Sequence, residues 1–515
     1  MQAQAIKKEN PFSYSQEKFN EIVTKLSSAE LLRKEHGEVE RLLKVEGFEL
    51  LRRLMQDHLD LRADRETRID IVGDDGNERP HTRPTERQLE MLFGTVRVGR
   101  MGYSNKGVSR LHPLDGELNL SPDLYSHGVR RQVAESGSKE SFDEVVAELE
   151  ITTGARVAKR QVEELAQRAA KDFDSFYETK SVQTQEQVAK TGSVLVLQTD
   201  AKGVVMHKQD LRPQTRKAAQ KRTRKMSKRL SRGEKQNAKR MAQVASVYTI
   251  QPYPRTPQQI VNQLQPVHEA ERKRPKPELK RVWASVEQSA EKVIDQAFEE
   301  ALRRDPEKSK TWAAVVDGNK PQLESLKAFA LQYGVVLTIV LDLIHVIEYL
   351  WRTAYVFNER ESPAAQQWVN DRLMEILLGH SSLVAGGIRR SATLRGLEPK
   401  QREPADDCAD YLLEYGPYLR YDQYLAKGLP IASGVIEGAC RHLVKDRMDI
   451  TGARWRLKGA EAVLKLRALR TSGDFDQYWQ FHLQKELERN HKSKYADGLL
   501  PVQQPLPATR LRLAK

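Results

Sequence analysis

Apolar positions recur along this chain in several rhythms, and each change of rhythm marks a change of structure. Residues 16 to 60 carry helical spacing, with Phe19, Ile22, Val23 and Leu26 on one stripe and Leu42, Leu43, Phe48, Leu51 and Leu54 on another. Recurrence at three and four residues marks one helix face, so this stretch predicts a helical hairpin. From DDGNERP through LEMLFGTVRVGRMGYSNKG the period shortens, Val96 and Val98 alternating with polar neighbours around glycines, which predicts a small sheet or hairpin. The helical period returns in SFDEVVAELEITTGARVAKRQVEELAQRAAKDF. Ser141 is placed to cap a helix with Glu144 three residues on, Val145, Val146 and Leu149 form its stripe, and TTG ends it. A second helix follows, in a stretch bearing Arg156, Lys159, Arg160 and Arg168. Two short helices about a glycine-containing turn, the second basic, suit a DNA-reading helix-turn-helix, although plain helical hairpins share the pattern.

From residue 191 the pattern becomes α/β. SVLVLQTD is a nearly continuous apolar run, as in a buried central strand, and it is expected to end at Asp200, turn, and resume as the short strand GVVM. AQVASVYTIQPY supplies a further strand, and a long helical, proline-bearing excursion including KRVWASVEQSAEKVIDQAFEEALRRD follows. Next, a strand ends at Asp317-Gly318, an amphipathic helix runs from Pro321 to about Tyr333, and VVLTIVLD ends at Asp342. Strand, helix and strand in this order make a βαβ unit with parallel strands and a right-handed crossover. Ligand sites in open α/β sheets lie at the C-terminal ends of such strands, so Asp200 and Asp317 can converge.

A third acid stands in LPIASGVIEGACRHLVKDRMDITGARW. Ser433 is placed to cap a helix with apolar face Ile436, Cys440 and Leu443, and Glu437 lies just off that face. The plain alternative is a surface ion pair with Arg441 one turn on, worth about a few tenths of a kcal/mol. Three carboxylates from separated segments are what two-metal phosphoryl transfer requires.

Composition and charge narrow the setting. With 515 residues, 39% apolar and 30% charged, the chain has room for two to four domains with real cores. No run approaches the roughly 18 apolar residues of a membrane span, and no apolar leader stands at the N-terminus, so a cytoplasmic protein without membrane contact is expected. Two cysteines, Cys408 and Cys440, supply neither a thiolate zinc site nor a disulfide framework. The net charge of +14 is concentrated: Lys208 to Arg240 holds fourteen Lys and Arg against Asp210 and Glu234. Leaving the sheet just after Asp200, this segment can grip phosphates near the carboxylate, with Arg222, Arg224, Lys225 and Lys228 at its centre; the bland alternative is a solvated loop. Arg447, Arg454, Trp455 and Arg456 combine cations with an aromatic, which suits phosphate contact and base stacking.

The ordered set LQTDAKG, AAVVDGNK, LDLIHVIEYLW and SGVIEGACRHLVKDRM resembles the DDE transposases of bacterial insertion sequences related to the Mutator-like group, most closely the ISKra type. LEMLFGTVRVGRMGY, LHPLDGELNLSPDLYSHG and TTGARVAKRQVEELA extend the resemblance into the N-terminal half. It implies an RNase H-like α/β catalytic domain, a mixed sheet flanked by helices and interrupted by an α-helical insertion, preceded by mainly helical and small β DNA-binding regions. It implies Asp200, Asp317 and Glu437 as catalytic, metal-binding triad, with Asp342 and His345 as an accessory motif beside them. A lone helical histidine is otherwise most often a packed core residue. The expected cofactor is Mg²⁺, for which Mn²⁺ can substitute.

The expected organisation is a helical region at 1–75, a small β-rich region at 76–135 and a helix-turn-helix-like DNA-binding region at 136–190. A catalytic domain follows at 191–358 with its basic insertion at 207–241, then an α-helical insertion at 359–428, the rest of the catalytic domain at 429–472, and a poorly ordered tail at 473–515. The expected function is metal-dependent DNA strand cleavage and strand transfer at the terminal repeats of the protein's own insertion sequence. Its partners are double-stranded DNA, both element ends and target, and further copies of itself in a dimer or larger assembly on DNA ends, within the bacterial, nucleoid-associated cytoplasm. The alternatives are a catalytically silent, domesticated DNA-binding protein and an RNase H-like nuclease without strand transfer.

Overall fold

A computed structural model describes residues 10–220, 238–264, 273–450 and 452–501. Two compact units emerge, Met1–Asp172 with Phe475–Lys515 and Phe173–Asp474. Among the described residues, no helix is long and apolar enough to cross a membrane.

In the first unit the helices Ser13–Leu26 and His36–Asp64 form the hairpin, tied where buried Asp57 accepts the Ser15 N–H at 2.8 Å. Strands β1 (His81–Met91) and β2 (Gly94–Ser104) pair antiparallel, and Val96 and Val98 join Leu59 and Leu89 in one apolar cluster. The sheet of the 76–135 region stops there: Val129 and Val133, four residues apart, put the helix His127–Gly137 where more of the β-rich stretch was expected. That helix packs with Phe142–Thr152 and Lys159–Ala169 around Val129, Val133, Val145, Leu149, Val162 and Leu165. The helix-turn-helix candidate is thus two sides of a three-helix cluster. Its first helix starts on a full capping box, Ser141 Oγ accepting from Glu144 N at 3.2 Å and Glu144 accepting from Ser141 N at 2.8 Å.

The tail departs from expectation. Phe475–Asn490 is a helix whose Tyr478, Trp479, His482 and Glu486 are buried, because aromatic residues at three- and four-residue spacing give an otherwise charged segment one apolar face. Residues 502–515 lie outside the described residues.

The second unit is mixed α/β, a five-stranded mixed sheet flanked by helices. Its strands are β3 (Val194–Val205), β4 (Lys239–Ile250), β5 (Glu278–Ser285), β6 (Thr311–Val316) and β7 (Leu337–Leu341), in the spatial order β5-β4-β3-β6-β7. β4 is antiparallel to both neighbours and the other four strands run one way. Leu195, Val196, Val247, Ala313, Val315 and Val340 are essentially inaccessible, as expected of strands covered on both faces.

Two expectations about strands are corrected. β3 does not end and turn at Asp200: it runs on through Ala201, Lys202 and Gly203 to Val205. Its parallel pairing with β6 stops at Gln198↔Val315, but β4 pairs along its whole length, including Asp200↔Val244, and keeps it extended. KRVWAS, read within a helical excursion, belongs to edge strand β5, because Val282, Trp283, Ala284 and Ser285 are all buried against the sheet's neighbours. The helix after it, Ala290–Arg304, begins past a short turn at the Ser289 cap.

β6, the helix Lys320–Gln332 and β7 form the βαβ unit. The helix Leu343–Phe357 follows, and the helices Pro363–Leu377, Ser381–Leu394, Pro399–Glu414 and Tyr421–Ala426 occupy the span between it and Glu437.

Candidate metal centre at the sheet edge

Strand register brings three aspartates to one level. Asp200 and Asp317 each stand two residues beyond the Gln198↔Val315 pair, and Asp342 follows Leu341, the partner of Val316. The Asp342 N–H donates to the Val316 carbonyl at 2.7 Å, which carries the ladder one step past β7. Asp200, Asp317 and Asp342 therefore stand in a row just past the level where the parallel pairing of β3, β6 and β7 ends.

Their surroundings differ. Asp342 is wholly buried and caps the helix Leu343–Phe357, accepting from Ile344 N at 3.1 Å and Ser433 N at 3.3 Å. Burial pushes its carboxyl above the ordinary range, only partly opposed by the hydrogen bonds from Ser433. Asp317 is exposed and accepts the Asn319 N–H at 3.0 Å. Asp200 is half-buried, and its Oδ2 accepts the Cys440 thiol at 3.1 Å. Burial and the neighbouring Asp200 and Glu437 carboxylates push that thiol well above its ordinary value, so Cys440 stays protonated and donates.

Glu437 reaches the row from the helix Gly434–Ala439. The Ser433 hydroxyl makes no hydrogen bond to its own helix end, contrary to the expected cap; it lies 2.5 Å from Asp342 Oδ2 and 2.8 Å from Glu437 Oε1, bridging the two acids. The surface ion pair of Glu437 with Arg441 does not form, since Arg441 turns toward Asp446 at 3.9 Å. The chain continues as a π-helical turn, Cys440–Lys445, a feature that recurs at functional sites. It keeps Leu443 and Val444 buried while Cys440 faces Asp200.

Asp342, His345 and Glu437 offer ligand atoms that all lie within 4.8 Å of one another. His345 is not a packed core residue: its side chain is 37% exposed, with Nδ1 3.3 Å from Glu348. With Asp317 it lines a cavity of about 580 Å³ that Asn319, Glu348, Asp410 and Tyr415 also bound. Asp317 belongs to this cavity rather than to the three-residue cluster. Among the described residues, no Lys or Arg stands within ion-pair distance of Asp200, Asp317, Asp342 or Glu437, although the chain carries 85 such cations. A hard divalent cation fits this oxygen-rich donor set.

The helices before Glu437 brace the edge through tyrosines that sequence reasoning did not single out. Tyr411 and Tyr415 donate to the Asp317 and Gly318 carbonyls at 3.4 and 2.5 Å, and Tyr421 and Tyr424 donate to the Leu341 and Ile339 carbonyls at 2.8 and 3.2 Å. Gly318 has φ +91°, and a Cβ there would come within 3.3 Å of the Tyr415 ring, so this turn needs glycine twice over.

The DNA-binding candidates separate by exposure. Arg447 and Trp455 are corrected: both are buried, the guanidinium 4.8 Å from the indole centroid, and the indole N–H is committed to the Met448 carbonyl at 3.0 Å. A ring with 6% of its surface accessible offers no face for a base. Trp455 instead extends the sheet region, its backbone N–H donating to the Val205 carbonyl at 3.0 Å. Arg454 and Arg456 are exposed, Arg456 lying 3.6 Å from Asp210. On the three-helix cluster Arg156, Lys159 and Arg160 are exposed, Lys159 paired with Asp143 at 2.6 Å and Arg160 with Glu164 at 3.1 Å. Arg222, Arg224, Lys225 and Lys228 lie outside the described residues.

A second acid–histidine group, Asp172, His482 and Glu486, is buried in the first unit. Arg489 pairs with both carboxylates at 2.5 Å and Arg130 with Glu486 at 2.8 Å, so this group already has its counter-cations. No family model and no curated protein matches the chain.

Proposed function

We propose that the protein is a DDE-type transposase that cleaves and joins DNA strands at the ends of its own element, using divalent cations held at the sheet edge. The observation that carries this reading is the row of Asp200, Asp317 and Asp342 at one register level, with Glu437 and His345 within ligand range of Asp342 and, among the described residues, no Lys or Arg paired with any of these four carboxylates. Buried or crowded carboxylates need a cation or a proton. The strand order, with the Asp200 strand next to the Asp317 strand and a single antiparallel member, supports an RNase H-like domain.

Asp200, Asp317 and Glu437 would hold the cations, Mg²⁺ or in its place Mn²⁺. When bound, such a pair activates the attacking oxygen and stabilises the departing one. The protein's own part is positioning. Asp342 fixes the start of the helix Leu343–Phe357 and, through Ser433, the place of Glu437. Tyr411 and Tyr415 hold the Asp317–Gly318 turn from the other side. Asp317 is exposed and would have solvent-facing lone pairs left to hold a cation, whereas Asp342 is committed to three hydrogen bonds inside the protein. A second assignment has its own observation: Asp342, not Asp317, lies within ligand range of Glu437 and His345.

The test is Mg²⁺-dependent cleavage and joining on duplexes made from the DNA that borders the coding sequence. Asp200→Asn, Asp317→Asn and Glu437→Gln are each expected to abolish both steps while leaving duplex binding in place. Cleavage retained in Asp317→Asn and lost in Asp342→Asn transfers the second ligand to Asp342. Cleavage retained in Glu437→Gln refutes the mechanism.

A further inference from the structure

The strand end farthest from the carboxylates carries a second feature with its own geometry. β5 pairs with β4 through Val247↔Arg281 and Thr249↔Glu278, so Tyr248 of β4 faces two residues of β5, Leu279 and Lys280. A bulge of this kind re-aims side chains. Leu279 adopts φ +47°, a left-handed backbone that costs a non-glycine residue roughly 1–2 kcal/mol. Its carbonyl accepts Arg304 Nη1 at 2.7 Å. Strain of this type persists where surrounding structure over-determines it, commonly at ligand sites.

The bulge opens onto a cavity of about 400 Å³. Lys180, Lys280, Arg281, Arg303, Arg304 and Arg470 line it, against Glu300 and Asp474. Lys180 is paired with Asp474, and three guanidiniums share the single carboxylate of Glu300: Arg281, Arg303 at 3.2 Å and Arg304 at 2.7 Å. Although burial opposes it, those arginines hold the Glu300 carboxyl down at about 2. Arg281 is wedged between rings, its guanidinium carbon 3.6 Å from the Tyr177 centroid and 4.7 Å from that of Trp283. The Nε atoms of Arg281 and Arg303 are buried with no hydrogen-bond acceptor among the described residues.

A brace between strand and helix needs one guanidinium per carboxylate. Here the cations exceed the acids by four, two of the arginines have an unsatisfied donor, and the backbone is bent to place them. Arg281 and Arg304 are largely desolvated and the other cations crowd the cavity mouth beside them, an excess of positive charge that suits an anion with several acceptor oxygens, and arginine's fork matches phosphate geometry. We propose that the cavity beside Leu279 is a phosphate-binding site, taking either a phosphate of a DNA strand or that of a free nucleotide. Lys280, Arg303 and Arg470 contact the phosphate, and Arg281 and Arg304 are held in place by Glu300, the rings and the Leu279 carbonyl. The inference does not depend on the carboxylates at the other edge being catalytic.

The test uses the full chain and the double variant Lys280→Gln/Arg470→Gln, which leaves the Glu300 pairs intact. One arm measures pyrophosphate and ATP binding by calorimetry at constant ionic strength. The other measures duplex affinity against salt, where each neutralised phosphate contributes a log–log slope of about −0.9. If the site serves a free nucleotide, the variant's pyrophosphate and ATP dissociation constants rise at least tenfold. If it serves a DNA strand, the salt slope flattens by about one unit. Wild type and variant alike in both arms overturn the proposal.

Discussion

Replacing Ser433 with alanine isolates the contact that holds Glu437 to the sheet. The hydroxyl lies 2.5 Å from Asp342 Oδ2 and 2.8 Å from Glu437 Oε1, and it has one proton for two carboxylates. That proton goes to one carboxylate at a time, so the hydroxyl is shared between buried Asp342, whose carboxyl burial pushes up, and Glu437. In Ser433→Ala the buried Asp342 keeps only backbone donors, Ile344 N and the residue 433 N–H. Exposed Glu437 recovers water, so its lost bond adds little. The expected loss is about 1–3 kcal/mol, the cost of stripping one partner from a buried polar group. Urea unfolding in EDTA measures it, with fluorescence dominated by the sheet unit, which holds Trp283, Trp312, Trp351, Trp368 and Trp455. A residue that orients a metal ligand commonly controls affinity by about 10- to 100-fold, so Mn²⁺ binding should weaken by at least tenfold in the same variant. A stability loss below about 0.5 kcal/mol together with unchanged Mn²⁺ affinity would refute the bridging role.

Glu66, whose Oε2 accepts the Met101 N–H at 2.6 Å, is pushed up by burial from the ordinary carboxylate range to about 7. A raised carboxyl stabilises the fold below its unfolded pKa and loses that contribution as pH rises through the folded value, so the first unit should lose stability between about pH 4.5 and 7. Glu66→Gln should flatten that melting profile and gain, after allowance for its partial exposure, about 1–2 kcal/mol at pH 8; an unchanged profile would count against the shift. Charge reversal at Lys159 and Arg160, whose present partners are exposed and cost little to break, should weaken binding to element ends more than to random duplex in gel-shift titrations. Equal losses would make the helix a phosphate-positioning element. Neutralising Arg222, Arg224, Lys225 and Lys228 together should flatten the salt dependence of duplex binding by up to about three to four log–log units, and an unchanged slope would make the segment a solvated loop.

Much of the candidate site was legible because it follows from strand ends. Runs such as VLVLQ and AAVV mark central strands by their apolar continuity, and acids beyond them fall at one edge whenever the strands are parallel. What escaped were contacts set by partners distant in sequence. The pairing of Asp200 with Val244 decides that β3 continues, and no local signal in DAKG reports it. Arg447 and Trp455 combine charge and aromaticity as a DNA-binding pair would, yet they pack against each other in the interior. Ser433 has an N-cap's position but finds a stronger acceptor in Asp342, 91 residues earlier. The helix Phe475–Asn490 was hidden by its charges, although Phe475, Tyr478, Trp479 and His482 already held the spacing that buries it. In KRVWAS, a strand period too short to stand out was overshadowed by the long helix following it.

The central claim is that Glu437 joins the edge aspartates in holding a divalent cation. Titrating Mn²⁺ into the full chain and following free Mn²⁺ by electron paramagnetic resonance tests it without any DNA substrate. Wild-type protein should deplete the free-ion signal, and Glu437→Gln and Asp200→Asn should each weaken that binding at least tenfold, with Asp317→Asn and Asp342→Asn reporting which of the two supplies the shared ligand. Binding of equal strength in wild type and Glu437→Gln would contradict the account.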